Sequence, residues 1–366
     1  MAAMAGASGA TSADAATALG IVVLGMGRSG TSAIAGMLVR AGFFAGREDD
    51  VLPADADNER GHHENLGVLN QNEEVILGLG GYWYLPPDPE AQLAEASRVQ
   101  PLLRTQLQRL AEAAEGRPVV VKDPRIGVMM PLWQTVIEDC LYPVLVTRHP
   151  LDVARSLQRR EGTPTPNGLA IWETYMSFML GYLQDWTVTV LPYDDMLANP
   201  ESAVPLIAEL AGHIDPTRAS HVVPADAPTA LEASLRHNRH EQSEVEALMT
   251  TRQQQLWDVL SALTPGERTI DVPPHLRQPT ASGRSIVGDE LYRLGVEDER
   301  RRSAARDAEL ARATDREQEL RTELSALEER YRLVVSSRRW RLSCSAARAI
   351  QAARTWNPLS RRARQQ

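Results

Sequence analysis

An α/β fold, a P-loop-type parallel sheet covered by helices on both faces, is what three features of this 366-residue chain predict. Short apolar runs at 21–24, 118–121, 142–147 and 187–191 alternate with longer stretches of helical character. The first run is bounded by glycines, as suits a strand buried on both faces. Three of the runs end in Gly-rich or charged sequence: GMGRSGTS, KDPR and TRHP. In parallel sheets the carboxyl ends of neighbouring strands are where ligands sit, so these three segments should converge.

Taken in order, residues 1–19 are rich in Ala, Gly, Ser and Thr and read as a disordered leader. After the first strand, a helix starts near Gly30 and runs to a Gly42 stop. Residues 45–62 are polar and acidic, with Pro53 and Gly61, and read as a loop. Residues 64–79 and 90–115 have helical composition, the second with a break at Pro101. The second strand carries PVVVKD (118–123) and the third YPVLVTR (142–148), with a helix between them. Helices over 151–160 and 168–186 lead to the fourth strand, TVTVLPY (187–193). The domain of interest is expected to span 20–277. Residues 278–289, QPTASGRSIVGD, read as a linker. Over 290–335 the positions Leu320, Leu324, Leu327, Tyr331 and Val334 follow the 4-3 spacing of a coiled coil, about three heptads long. Residues 336–366 form a basic amphipathic tail.

Composition narrows the classes. Two cysteines, Cys140 and Cys344, support neither a disulfide framework nor a cysteine-based zinc site. A reducing, cytoplasmic setting is the expectation, with the tail able to reach the inner face of a membrane. No apolar run approaches the roughly 18–20 residues of a membrane span. The net charge of −9 hides an asymmetry, because 336–366 holds eight arginines and no acid. Such a tail calls for an anionic partner. No nucleic-acid module accompanies it, so nucleic acid is not expected. The 39 basic residues comprise 38 arginines and one lysine, Lys122.

The loop GMGRSGTS has the glycines of a phosphate-binding turn, and the helix after it offers a positive dipole end. Gly27, Ser29, Gly30, Thr31 and Ser32 supply the turn and its donors. Arg28 supplies a fork matched to phosphate or sulfate oxygens. A magnesium-nucleotide loop carries lysine before its Ser/Thr; Thr31 stands at that position here. The segment resembles the 5′-phosphosulfate loop of sulfotransferases that use 3′-phosphoadenosine 5′-phosphosulfate (PAPS), in the arginine form of the tyrosylprotein and carbohydrate enzymes. VTRHPLDVARS (146–156) resembles the 3′-phosphate motif of that family, with Arg148, Ser156 and Asp152 at matching positions and His149 where Asp or Asn is more usual. LPYDDMLANP (191–200) is similar to a late strand-to-helix segment of the same enzymes. The resemblance covers roughly 20–265. It implies PAPS as co-substrate, no metal, and a hydroxyl acceptor.

The K-D-P of VVVKDPRI is similar to that of the tyrosylprotein enzymes, which implies that Lys122 acts at the sulfuryl group. A compact ammonium can follow the charge that develops there. Asp123 and Arg125 are expected to orient the strand end by pairing. For the base, NERGHHENLG (58–67) offers Glu64 first, with His62 and His63 as alternatives. Trp83 and Tyr84 fit either core packing or a pocket for acceptor or adenine. LRHNRHE (235–241) fits either a cover over the nucleotide or a solvated helix face. The tail resembles segments appended to bacterial surface-glycan glycosyltransferases. That points to a carbohydrate acceptor, and to a membrane surface or a glycan-assembly partner for the tail. The heptads point to self-association. Two rival readings remain: a P-loop kinase using Mg-ATP, and a non-catalytic nucleotide-binding scaffold.

Overall fold

The computed structural model describes residues 18–55, 61–230 and 242–355. Most of the leader and the whole of 235–241 therefore lie outside the described residues. The chain forms two compact units, residues 1–294 and 295–366.

The first unit is built on a five-stranded sheet in the order β2-β1-β3-β4-β5. Strands β1 (Gly20–Leu24), β2 (Val119–Lys122), β3 (Leu141–Thr147) and β4 (Thr187–Pro192) are mutually parallel. The edge strand β5 (Gly266–Thr269) runs antiparallel to β4. Alternate residues of one strand serve opposite cores, as the two-residue strand period requires. Ile21 and Val23 join Val144 and Val146 on one face, while Val22 and Leu24 join Val121 and Leu145 on the other. Every residue of β1 is buried, which explains its unbroken apolar run.

Helix α1 (Thr31–Arg40) follows β1 and buries Ile34, Met37 and Leu38 on the first face. Between β1 and β2 also lie α2 (Leu66–Gly78), α3 (Pro89–Ala94) and α4 (Ala96–Ala113). The chain breaks at Glu95 rather than at Pro101, which α4 absorbs while Val99, Leu103, Leu107 and Leu110 keep one buried stripe. Helices α5 (Arg125–Val128) and α6 (Met130–Cys140) connect β2 to β3. Helices α7 (Pro150–Glu161) and α8 (Thr165–Tyr182) connect β3 to β4. Helix α8 is buried continuously from Gly168 to Leu180 and forms the middle of the second face. Beyond β4 come α9 (Tyr193–Ala198), α10 (Ala203–Ala211), α11 (Pro216–Ala219), α12 (Gln242–Leu248) and α13 (Thr251–Ser261).

The expected linker at 278–289 is not one. Helix α14 (Ala281–Ser336) begins inside it, with the Thr280 hydroxyl accepting from the Gly283 amide at 3.0 Å. Val287 is fully buried, and Leu291 and Leu294 pack on the same core. Their 4-3 spacing is helical. Gly283 and Gly288 masked it, since isolated glycines read as loop punctuation although a docked helix tolerates them.

In the second unit, α14 continues to Ser336 and is followed by α15 (Arg338–Thr355). Leu320, Leu324 and Leu327 are exposed there, as are Leu342 and Ile350. Among the described residues, no helix is long and apolar enough to cross a membrane.

Candidate active site

The β1 neighbours β2 and β3 lie on opposite sides of it, so the strand order reverses beside β1, which is where a ligand crevice forms in such sheets. The three segments singled out in the sequence leave the sheet at this place.

The loop after β1 is held tightly. Arg28 adopts a left-handed backbone, φ 70°, which few non-glycine residues take. Gly30, φ 91°, lies so close to Tyr193 that a Cβ there would come within 2.1 Å of its ring. A Cβ on Gly27 would come within 2.8 Å of the Trp83 ring. Gly30 caps α1 without a side-chain bond to the first-turn amides. Those amides, with Thr31 and Ser32, remain open to an anion. Ser29 and Thr31 are buried beside them. The Tyr175 hydroxyl lies 3.0 Å from the Gly25 carbonyl and 2.7 Å from that of Pro124, tying the end of β1 to the end of β2.

Arg148, at the end of β3, is 7% exposed. Its Nη1 donates to the Arg28 carbonyl at 3.1 Å, and its guanidinium lies over the Tyr193 ring at 4.8 Å. Its Nε and Nη2 are buried and have no hydrogen-bond partner. Arg28 in turn donates from Nε to the Ser156 hydroxyl at 2.9 Å. Arg28, Arg148 and Ser156 thus form one cluster, although 128 positions separate Arg28 from Ser156. The Arg28 side chain links the β1 loop to α7. His149 caps α7, its Nδ1 accepting from the Leu151 amide at 3.3 Å, which explains why it can replace an acidic cap here.

Lys122, at the end of β2, donates directly from Nζ to Glu64 Oε1, and both side chains are buried. Glu64 is placed by its own backbone, whose carbonyl accepts from the Leu52 amide at 2.8 Å, and by Asn65, which caps α2. Asp123 accepts from Asn72 Nδ2 at 2.9 Å and from Arg125 Nη1 at 3.1 Å, and Asn72 is itself held by Trp133 Nε1 at 3.0 Å. Asp123 and Arg125 therefore pair, and Asp123 is occupied. Burial pushes the Asp123 carboxyl above its ordinary value, against the pull of Arg125.

The two histidines diverge. His62 lies against the cleft with Nε2 3.1 Å from Asp55 Oδ2. His63 has φ 53° and turns its ring to α1, where a Cβ on Gly36 would stand 2.9 Å from Nε2. Burial, then Lys122 and His62, push the His63 pKa below its ordinary 6.5.

A cleft of about 300 Å³ reaches the phosphate loop, Lys122 and Glu64, while Arg148 and Ser156 lie outside its lining. Gly27, Arg28, Thr31, Ser32, Lys122 and Glu64 line it together with Leu52, Leu69, Trp83, Arg125, Arg160 and Glu161. Sequence reasoning missed Tyr175, Tyr193 and Glu161. Only Tyr193 carried a signal, as an aromatic ending a strand beside the crevice. Among the described residues, no group of three or more His, Cys, Asp or Glu could hold a metal ion.

No family model matches the chain, and no curated protein matches it. Among solved structures it is similar to a sulfotransferase domain from the Synechococcus PCC 7002 olefin synthase. The identity is 18% over 70% of this chain and 99% of that one, with a TM-score of 0.39. It is likewise similar to a sulfotransferase domain from the curacin biosynthetic pathway. There the identity is 17% over 67% of this chain and 99% of that one, with a TM-score of 0.37. These likenesses assign no role to any side chain; the chemistry has to come from the site.

Proposed function

We propose that the protein is a sulfotransferase that moves a sulfuryl group from PAPS to a hydroxyl acceptor, a sugar hydroxyl of a glycan or glycolipid. One observation carries this reading. Arg148 buries two donor nitrogens that have no acceptor, it bonds the Arg28 carbonyl while Arg28 bonds Ser156, and helix α1 starts at Thr31, just beyond Arg28, without a side-chain cap. Unpaired buried charged donors are costly, and an anion seated among them removes that cost. A nucleotide with a 5′-phosphosulfate over Gly27–Ser32 and a 3′-phosphate at Arg148 and Ser156 satisfies both ends.

Lys122 and Glu64 then divide the chemistry. Lys122 transfers its hydrogen bond from Glu64 to the sulfuryl and leaving phosphate oxygens as charge grows on them. Glu64, released, accepts the acceptor's hydroxyl proton. The new S–O bond forms on the acceptor oxygen as the S–O bond to the phosphate breaks, and the electron pair stays on the phosphate. The ion pair thus stores both groups at the reacting centre in the resting protein.

Isothermal calorimetry with adenosine 3′,5′-bisphosphate and with ADP tests the reading. The bisphosphate should bind at least about tenfold more tightly, with or without magnesium. Equal affinities, or binding of ADP only with magnesium, would favour a Mg-ATP kinase. Tight binding of the bisphosphate without turnover of PAPS on any glycan acceptor would leave a scaffold.

A further inference from the structure

The cleft has a wall that the nucleotide does not need, and its composition points to a substrate class. Glu161 ends α7 and lines the cleft. Its Oε2 is buried and has no hydrogen-bond partner. Its backbone is pinned from behind: Arg293 Nη2 donates to the Glu161 carbonyl at 3.3 Å. Arg293 is held by Glu290, which is 1% exposed and also accepts from Asn167 at 2.9 Å. Segment 281–294 of α14 therefore fixes this corner of the cleft.

Trp83 stands at the lip of the phosphate loop, against Gly27. It is half-buried, and Tyr84 holds it edge-on at 4.6 Å with the ring planes 80° apart. An aromatic ring so fixed, with part of its surface open to a cleft, presents an apolar face to a ligand. Leu52 and Leu69 extend that apolar surface, while Glu161 offers an acceptor and no donor.

An apolar ring face and a carboxylate lining the same cleft fit a ligand with both C–H faces and hydroxyl donors. A pyranose ring has both. A simple phenol has an apolar face, but its single hydroxyl is spent at Glu64 and leaves Glu161 unsatisfied. A carboxylate or phosphate on the acceptor would be placed against Arg160 rather than Glu161, whose carboxylate it meets as a like charge.

We propose that Trp83 and Glu161 form the acceptor subsite, selecting a sugar ring by stacking on Trp83 and by a hydroxyl donated to the Glu161 carboxylate. This deepens the reading above, because it names how that site recognises its acceptor. Glu161 is a specificity-determining residue here and takes no part in the proton transfer.

The test separates the two claims. Saturation-transfer NMR is run on the full chain saturated with adenosine 3′,5′-bisphosphate. The probes are the methyl glycopyranosides of glucose, galactose, mannose and rhamnose, with p-cresol as the phenolic comparator. Calorimetry of the bisphosphate is run on the same samples. At least one glycoside should bind the wild type more tightly than p-cresol. Glu161→Ala and Trp83→Ala should each weaken that glycoside about tenfold or more, the scale of one lost charged hydrogen bond. Bisphosphate affinity should stay within about threefold in Glu161→Ala and in Trp83→Phe; Trp83→Ala removes the ring set against Gly27 and is read on the glycoside alone. Trp83→Phe, which keeps a ring, should retain most of the binding and guards against misfolding in the alanine variant. The subsite is overturned if no glycoside binds, if p-cresol binds as well, or if Glu161→Ala leaves the glycoside unaffected. It is also overturned if Glu161→Ala weakens the nucleotide instead. If the wild type binds no bisphosphate at all, it is the sulfotransferase reading that fails.

Discussion

Replacing Arg148 with methionine tests the anion cluster where the physical argument is strongest. The change keeps an unbranched apolar stem out to about the position of Nε and removes the guanidinium. In the resting protein Arg148 makes one hydrogen bond, from Nη1 to the Arg28 carbonyl at 3.1 Å, and leaves Nε and Nη2 unpartnered. Those two donors are what a 3′-phosphate would gain. A hydrogen bond to a charged group contributes about 1.5–3 kcal/mol, so two give about 3 kcal/mol at the low end. That corresponds to roughly a hundredfold loss in affinity for adenosine 3′,5′-bisphosphate. ADP lacks the 3′-phosphate and should lose less than about threefold. The resting protein should not be weakened in proportion, because the variant also removes a buried cation with two unmet donors. Calorimetry with both nucleotides, beside a thermal melt, gives all three quantities. If the variant binds the bisphosphate within about threefold of wild type, Arg148 does not hold a 3′-phosphate. If it loses both nucleotides equally, Arg148 only props up the loop through Arg28.

Two further predictions concern other parts of the chain. Glu64→Gln and Lys122→Met should each destabilise by about 3 kcal/mol, since each strands one member of a buried pair. The double variant should recover most of that loss while turnover stays abolished. Urea midpoints that simply add would show that the two groups are not coupled. We propose that the exposed Leu320, Leu324 and Leu327 form a self-association seam. Leu320→Glu with Leu327→Glu should then lower the mass by light scattering to that of one chain. A mass that does not respond to the substitutions would exclude the seam.

The extent to which sequence exposed the site follows from how local each feature is. The β1 loop, the end of β2 and the end of β3 could be read because each is a short apolar run followed by a few telling residues. Residues 281–294 could not, because Gly283 and Gly288 interrupt a pattern whose buried side, Val287, Leu291 and Leu294, emerges only once the body provides a surface for it. The pairing of Lys122 with Glu64 spans 58 positions and depends on β2 lying beside β1 and on the Leu52 amide reaching the Glu64 carbonyl. Nothing in either neighbourhood announces it. The same holds for Tyr175, whose hydroxyl reaches Gly25 across 150 positions.

These distant contacts also account for how an unfavourable loop can persist. Arg28 is left-handed, Gly30 is pressed against Tyr193, and the first-turn amides of α1 lack a side-chain cap. The left-handed Arg28 backbone costs on the order of 1–3 kcal/mol in the resting protein, whereas Gly30 fits the Tyr193 ring only because it has no Cβ. None would survive in an isolated loop. Here Tyr175 fastens the loop's base, Tyr193 and Trp83 wedge it, and Arg148 bonds the Arg28 carbonyl, with Tyr175 and Trp83 set in the apolar core on one face of the sheet and Tyr193 in that on the other. A loop held open in this way does not have to reorganise when an anion arrives, so the binding free energy is available for the reacting centre. On that view the strain sits in the same residues that would recognise the donor, and Tyr193→Ala, which removes the ring beside Gly30, should let the loop relax and weaken adenosine 3′,5′-bisphosphate in calorimetry; an unchanged affinity would show that the ring does not hold the loop open.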